Sequence, residues 1–404
     1  MSASRFLLKI GYSLLNFFVL PLTILLFLLR SLFKIQFFRV NSSRIGHLAL
    51  NNDLLLRRIQ LDPVQKKVKY IGIAATPIAN NQLLRMLQRK LTIIQIPQPK
   101  LVRSVTKILA VNSILSKWGL FTNLPYSNQE YYKLFRTTLP NLSFSNGEEN
   151  EGKQLLKKMN VPSWFICFHA RDPTHISKFI RKGDTNFNFR NCDVNNYLQA
   201  AEYIAQQGGY ALRMGASIEK KITTENQKII DYASTYRSDF GDIYLPAKCK
   251  FFLGNTAGLV NIPRILHVPV ALANLIPLIK ETPPGKMDLF IPKKIWSSKE
   301  KRHLTFEEMI NSPLKEIWEK NKFPEEDGLI AIENTAQEIL DLAIEMNERL
   351  DGNWITTKED EKLQNKFRSL FKPDCICYGF PSRIGAKFLR ENKNLLNEKA
   401  EEIG

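Results

Sequence analysis

Disulfide chemistry is the first thing this 404-residue chain is short of. Its five cysteines (Cys167, Cys192, Cys249, Cys375 and Cys377) are odd in number and scattered, which excludes a disulfide-stapled fold and points to a reducing compartment. Metal ligands are scarce as well. Cys375 and Cys377 make a CxC pair with no second Cys or His pair nearby in sequence, too few for structural zinc, which takes four ligands. No Asp-x-Asp follows an apolar strand run, because Asp239-Phe240-Gly241-Asp242 has the wrong spacing for a metal site. Internal repeats are absent. Acidic residues are almost missing from positions 1–110, where 17 lysines and arginines face only Asp53 and Asp62, so +15 of the net +18 sits there. Apolar residues are not in short supply: 44% hydrophobic and 10% aromatic content exclude a disordered chain, and the length suits two domains.

The basic first third raises two partners, nucleic acid and anionic lipid. Ile10–Leu29 decides between them. It is uncharged throughout, flanked by Arg5 and Lys9 before and by Arg30, Lys34 and Arg39 after. At 1.5 Å per residue such a helix reaches across a bilayer. The run is long for a cleaved signal peptide and no small-x-small site follows it. Pro21 also allows a re-entrant hairpin. The trailing basic residues place the main body in the cytoplasm, beside anionic membrane lipids that attract each nearby Lys or Arg by about 1 kcal/mol. The expectation is an anchor within residues 1–40, and no nucleic-acid partner.

Beyond the anchor, short apolar runs alternate with amphipathic stretches, the pattern of an α/β fold with parallel sheets. Ser42–Leu50 reads as a strand or strand end, Val68–Ala74 and Leu91–Ile96 as strands, and Asn80–Lys90 as a helix. The Asn, Ser, Gly and Glu of Pro140–Lys153 read as a linker or surface loop. A second series follows: Trp164–His169 as a strand, Val194–Gln207 as a helix capped by Asp193, Tyr210–Arg213 as a strand and Asp242–Lys248 as a short helix. Gly328–Leu350 reads as one long helix and Glu359–Asn397 as an amphipathic tail. The domains expected are 41–150, 151–350 and a C-terminal helical extension at 351–404.

The most telling stretch is Phe251–Asn274: an apolar run, a small polar turn over Asn255, Thr256, Ala257 and Gly258, a short helical pattern and a second apolar strand. Unpaired N–H groups at a helix start attract phosphate, with Asn255 or Thr256 as the cap. Two further loops should meet this turn at the carboxyl ends of the strands, where open α/β sheets bind ligands. They are His169-Ala170-Arg171-Asp172 and Arg213-Met214-Gly215. Two guanidinium groups and a helix start together suit a diphosphate. Ser238 or Asp239 caps the helix that follows, or Asp239 reaches a ligand held in that crevice.

FICFHARD, RNCD, GGYALRMG, DYASTYRSDFGDIYLPAKCKFFLGNTAGL and VPVALAN, all within Phe165–Pro277, resemble a family of bacterial glycosyltransferases from surface-polysaccharide gene clusters. RIGHLAL near residue 45 and RIGAKFLREN near residue 384 resemble that family's terminal signatures. The chain is also distantly similar to the fucosyltransferases. The resemblance implies a GT-B-like fold of two facing Rossmann-like domains, an N-terminal acceptor side and a C-terminal donor side. It gives Arg171 the donor diphosphate and Asn255, Thr256 and Gly258 the nucleotide. Asp172 directly after Arg171, and Ala257 in place of a hydroxyl residue, depart from the fucosyltransferase pattern.

A leaving nucleoside diphosphate gathers negative charge that something cationic must stabilise. The donor-binding set is therefore His169, Arg171, Arg213, Gly215, Asp239, Asn255, Thr256 and Gly258, with no metal and no cofactor. His47 and Asp172 are the candidate general bases, and His175 a further phosphate contact. The reading is a hexosyl- or deoxyhexosyl-transferase at the cytoplasmic face of a bacterial inner membrane, anchored by residues 10–29. It would move sugar from a nucleotide-sugar donor to a lipid-linked or surface-polysaccharide acceptor. A nucleotide-sugar epimerase or hydrolase, and a membrane-attached nucleotide-binding scaffold, are the alternatives.

Overall fold

The alternation of apolar runs and amphipathic stretches builds two separate parallel sheets. The structure, a computed structural model, describes residues 28, 34–97, 122, 129–172, 185–216, 218, 220–311, 314 and 323–397. It divides into two units, Met1–Tyr126 with Asn141–Ser143, and Ser127–Pro140 with Phe144–Gly404. The uncharged run at 10–29 lies outside the described residues apart from Leu28, as does His175. Among the described residues no helix is long and apolar enough to cross a membrane.

The first unit runs β1 (Ile35–Val40), α1 (Ile45–Leu61), β2 (Lys69–Ala75), α2 (Asn81–Gln88) and β3 (Thr92–Ile96), with the strands parallel in the order β1-β2-β3. Asn80 starts α2 by accepting the Leu83 N–H at 2.8 Å, and Leu83, Leu84 and Leu87 are buried as the helical spacing expects. The strand expected at Ser42–Leu50 is instead the entry to α1. Leu48, Leu50, Leu54 and Leu55 are all buried, a spacing that only a window longer than nine residues resolves as helical. Asp53 and Arg57, one turn apart, form a fully buried ion pair that Asn141 joins with an Nδ2 donor at 3.3 Å. Burial raises the Asp53 carboxyl, with the Arg57 charge opposing it.

The second unit opens with α3 (Gln129–Thr137) and α4 (Asn146–Lys158). It continues through β4 (Phe165–Phe168), α5 (Leu198–Gln206), β5 (Tyr210–Arg213), β6 (Ile229–Ile230), α6 (Gly241–Lys248), β7 (Phe252–Gly254), α7 (Asn261–Ile265), β8 (Val270–Leu275) and β9 (Leu289–Pro292). A small antiparallel sheet follows, β10 (Lys294–Ser297), β11 (Arg302–His303) and β12 (Leu329–Ile332), and then α8 (Ala336–Asp351), α9 (Lys358–Ser369), β13 (Arg383–Ile384) and α10 (Ala386–Glu391).

Three expectations change here. The stretch read as a linker holds α4, started by a reciprocal capping box in which Ser145 and Glu148 each accept the other's main-chain N–H. The long helix expected at Gly328–Leu350 is β12 followed by α8, with a second capping box at Thr335 and Glu338 marking the break. The tail is more than a helical extension, because β13 pairs in parallel with β9 and closes one edge of the large sheet.

That sheet has the order β13-β9-β8-β7-β4-β5-β6, and every neighbouring pair is parallel. From β4 the chain steps outward through β5 and β6, then returns to lay β7 on the other side of β4 and continues outward through β8 and β9. The direction of winding reverses between β4 and β7, so a crevice opens at their carboxyl ends.

Candidate functional site

Loops from both sides of this reversal are tied together. After β4 come His169-Ala170-Arg171-Asp172, and after β7 come Asn255 and Thr256. Asn255, fully buried, accepts the Arg171 main-chain N–H at 3.1 Å through Oδ1 and donates from Nδ2 to the Arg190 carbonyl at 2.7 Å. Thr256 Oγ1 accepts the Ile276 N–H at 3.1 Å, fastening the same turn to the end of β8.

The short segment Arg190-Asn191-Cys192-Asp193 lies where three strand ends reach. Arg171 Nη1 donates to Asn191 Oδ1 at 2.9 Å, and Lys293, the residue after β9, donates from Nζ to the Asn191 carbonyl at 2.8 Å. The Cys192 N–H in turn donates to the Arg171 carbonyl at 3.2 Å. A guanidinium and an ammonium, 5% and 3% exposed as residues, are thus gathered on one asparagine. Burial lowers the Lys293 ammonium, Arg171 lowers it further, and the Glu333 carboxylate opposes them. Glu333 is fixed nearby, accepting the Asp193 N–H at 3.0 Å. Burial also pushes the Cys192 thiol up to about 11, so at neutral pH it is an uncharged neighbour of the two cations. Beside them Asn274, in the left-handed region at φ 53, exchanges main-chain and side-chain bonds with Asn334 and donates to Tyr197 Oη at 3.4 Å.

The expected residues divide into those near this cluster and those elsewhere. His169 Nδ1 lies 2.9 Å from the Met214 carbonyl, so Nδ1 carries the proton and the loop after β4 is linked to the one after β5. Gly215 is close packed there: an added Cβ would stand 3.2 Å from Ile218 and 3.9 Å from His169 Nδ1. Asp172 follows Arg171 at the edge of the described segment. Arg213, expected among the donor-binding residues, turns inward. Its guanidinium is 3% exposed and turns to the Lys220 carbonyl at 2.9 Å and to Asp231 at 3.3 Å, a buried ion pair inside the fold.

Neither Asn255 nor Thr256 caps a helix. The turn leads into a 3-10 segment, Gly258–Val260, and then the five-residue α7, whose caps at Ala257 and Val260 make no side-chain bond. Helical pieces this short carry little macrodipole, so the positive charge at the site comes from side chains. Ser238 rather than Asp239 takes the start of α6, accepting the Gly241 N–H at 3.0 Å, while Asp239 pairs with Arg237 at 3.5 Å. His47 stands in the first turn of α1, beyond the carboxyl end of β1, rather than at a strand end. Among the described residues no three His, Cys, Asp or Glu side chains are grouped to hold a metal ion.

Asn191, Lys293, Asn274 and Glu333 escaped the sequence reading. Asn191 lay inside the RNCD motif without a role. Lys293 carried a legible signal, the first cation after the apolar run Leu289–Pro292, which is a strand end like those of Arg171 and Arg213. Asn274 and Glu333 matter through partners distant in sequence, which no local pattern reveals.

No family model matches the chain, and no curated protein matches it. Among solved structures it is similar to the ADP-heptose LPS heptosyltransferase II of E. coli, with 14% identity, 70% of this chain and 97% of that chain covered, and a TM-score of 0.42. It is similar to a glycosyl transferase family 9 protein of Veillonella parvula, with 10% identity, 59% and 80% covered, and a TM-score of 0.37. It is similar as well to E. coli heptosyltransferase WaaC with ADP-2-deoxy-2-fluoro heptose, with 10% identity, 59% and 88% covered, and a TM-score of 0.31. Likenesses this low do not assign the chain to a family.

Proposed function

We propose that the chain is a glycosyltransferase that takes a hexose or deoxyhexose from a nucleotide-sugar donor, the donor diphosphate lying at the carboxyl ends of β4, β7 and β9. The observation that carries this reading is the pair of buried cations, Arg171 and Lys293, gathered on Asn191 at the crevice where the sheet reverses its winding. As the glycosidic bond breaks, charge grows on the diphosphate. Fixed cations in a water-poor site stabilise that charge more than the ground state, which lowers the barrier. Arg171 offers a planar fork of N–H donors to two phosphate oxygens, and Lys293 a point charge. These two supply the electrostatic role without a divalent metal.

The acceptor is a lipid-linked or surface-polysaccharide hydroxyl at the cytoplasmic face of a bacterial inner membrane, with residues 10–29 as the anchor. An inverting transfer needs a base for that hydroxyl. His47 and Asp172 are the groups to vary for it.

The test is nucleoside diphosphate release from a panel of nucleotide sugars in the presence of membrane lipid extract, with and without EDTA. Release with at least one donor, kept in EDTA and reduced at least 100-fold by Arg171→Ala (about 2.7 kcal/mol of transition-state stabilisation), is expected. A folded protein that binds donors yet releases nothing would mean a nucleotide-binding scaffold instead.

A further inference from the structure

Glu333 is half-buried where β12 gives way to α8, and one of its oxygens takes two hydrogen bonds. Oε2 accepts the Asp193 main-chain N–H at 3.0 Å and the Asn196 Nδ2 donor at 3.5 Å. Lys293 reaches the same segment from the end of β9, through the carbonyl of Asn191. The residue after Glu333, the fully buried Asn334, donates from Nδ2 to the Pro292 carbonyl at 3.0 Å. Glu333 and Asn334 thus hold both the segment on which Lys293 rests and the residue that precedes Lys293.

That tether alone does not call for a carboxylate. Two neutral N–H donors fall on a single oxygen, and an amide oxygen accepts them as well. The charge of Glu333 answers something else, and the cation within its electrostatic reach is Lys293. This ammonium, 3% exposed, has one neutral carbonyl to donate to and the Arg171 guanidinium as a neighbour on Asn191. Burial and Arg171 both press it toward the uncharged amine, and the Glu333 carboxylate opposes them.

The other titratable groups around the segment are neutral or engaged. Burial raises the Cys192 thiol and the Tyr197 hydroxyl, so both are uncharged at neutral pH. Asp193 is turned to the following turn, where its Oδ1 accepts the Asn195 N–H at 2.9 Å. Glu338, on the first turn of α8, is paired with Lys294 at 2.9 Å.

We propose that Glu333 is a positioning residue of the donor site, whose carboxylate keeps Lys293 charged while holding the segment on which Lys293 and Arg171 meet. The catalytic consequence rests on the nucleotide-sugar reading of the crevice, because an uncharged Lys293 cannot stabilise a leaving diphosphate. The charge relation between the two residues does not depend on that reading.

Glu333→Gln separates charge from tether, since its amide oxygen accepts both hydrogen bonds. Lysine labelled with ¹³C at Cε reports the Lys293 ammonium by NMR in the full chain without substrate, and Lys293→Arg identifies the signal by its loss. In Glu333→Gln that signal is expected to titrate at lower pH than in the wild type. Glu333→Asp, which restores the charge on a shorter side chain, is expected to bring it back toward the wild-type position. Nucleoside diphosphate release by Glu333→Gln is expected to fall away at lower pH than wild-type release. The ratio of the two rates should grow with pH by up to about tenfold for each unit that the Lys293 midpoint has moved. A Lys293 signal that moves as expected in a protein releasing nothing from any donor overturns the glycosyltransferase reading and upholds the charge relation. A Lys293 signal that titrates alike in wild type and Glu333→Gln overturns the proposal, and so does release with one pH profile for both proteins.

Discussion

The side-chain oxygen of Asn255 accepts the main-chain N–H of Arg171 at 3.1 Å, joining the ends of β7 and β4 across the point where the sheet reverses its winding. Its amide nitrogen holds the Arg190 carbonyl at 2.7 Å. One buried amide therefore sets the position of the loop that carries Arg171 and of the segment on which Arg171 and Lys293 meet. Asn255→Ala leaves a buried donor and a buried acceptor without partners, and is expected to lower the unfolding free energy by about 1–3 kcal/mol. Asn255→Asp keeps the oxygen for Arg171 but turns a carboxylate toward the Arg190 carbonyl, so it is expected to lose at least as much. Denaturant unfolding of the three proteins checks the order, and nucleoside diphosphate release is expected to fall with it.

Lys293 and Arg213 are both buried cations at strand ends, yet they should respond differently to removal. Lys293 donates to a neutral carbonyl beside Arg171, whereas Arg213 is paired with Asp231. Lys293→Met is expected to lower nucleoside diphosphate release roughly 100-fold with little change in unfolding midpoint, the mark of charge used in the transition state. Arg213→Met strands the Asp231 carboxylate, and is expected to cost roughly 3–5 kcal/mol of stability. Equal loss of stability in both variants would place Lys293 among the structural cations too.

This contrast also shows how far the sequence could be read. An Arg that follows an apolar strand run looks the same whether it faces a ligand or an internal carboxylate. Asp231, the partner of Arg213, lies eighteen residues on and carries no mark of its own. The strand–turn–strand of Phe251–Asn274 was legible because an apolar run, a break and a second apolar run are local features. The use of Asn255 was not, because its partners come from loops 84 and 65 residues away. Ser145 and Glu148 show the opposite failing. Their capping-box spacing is present in sequence, but the Asn, Gly and Glu around them give the segment the composition of a linker or surface loop.

That misread helix packs directly on the second unit's core. A Cβ at Gly152 would lie 1.9 Å from the Tyr244 ring, so α4 approaches α6 as closely as the missing side chain allows. In an exposed helix Gly→Ala would stabilise by up to about 1 kcal/mol. Here the steric term dominates, and Gly152→Ala is expected to destabilise by roughly 1–3 kcal/mol. Adding Tyr244→Leu should recover part of that loss in a double-mutant cycle, at the expense of the Tyr244 bond to Glu149.

Asp242 gives the fold a pH dependence that can be isolated. Its carboxylate accepts from Tyr232 at 3.2 Å and from Arg237 Nε at 3.1 Å. Burial raises it to about 6, against the pull of Arg237. The folded protein therefore holds this proton more tightly than the unfolded chain, whose aspartates titrate near 4. Between about pH 4 and pH 6 the native state keeps a proton that the unfolded state has released, so this contribution to stability is complete below about pH 4 and is lost as pH rises through about 6. At 1.36 kcal/mol per pH unit the whole change is roughly 2–3 kcal/mol. Asn at this position cannot titrate. The stability difference between wild type and Asp242→Asn, measured by denaturant unfolding at pH values from about 4 to about 7, is expected to move by roughly 2–3 kcal/mol in favour of the variant as pH rises. A difference that stays constant across that range would show that the Arg237 charge, rather than burial, governs the carboxyl.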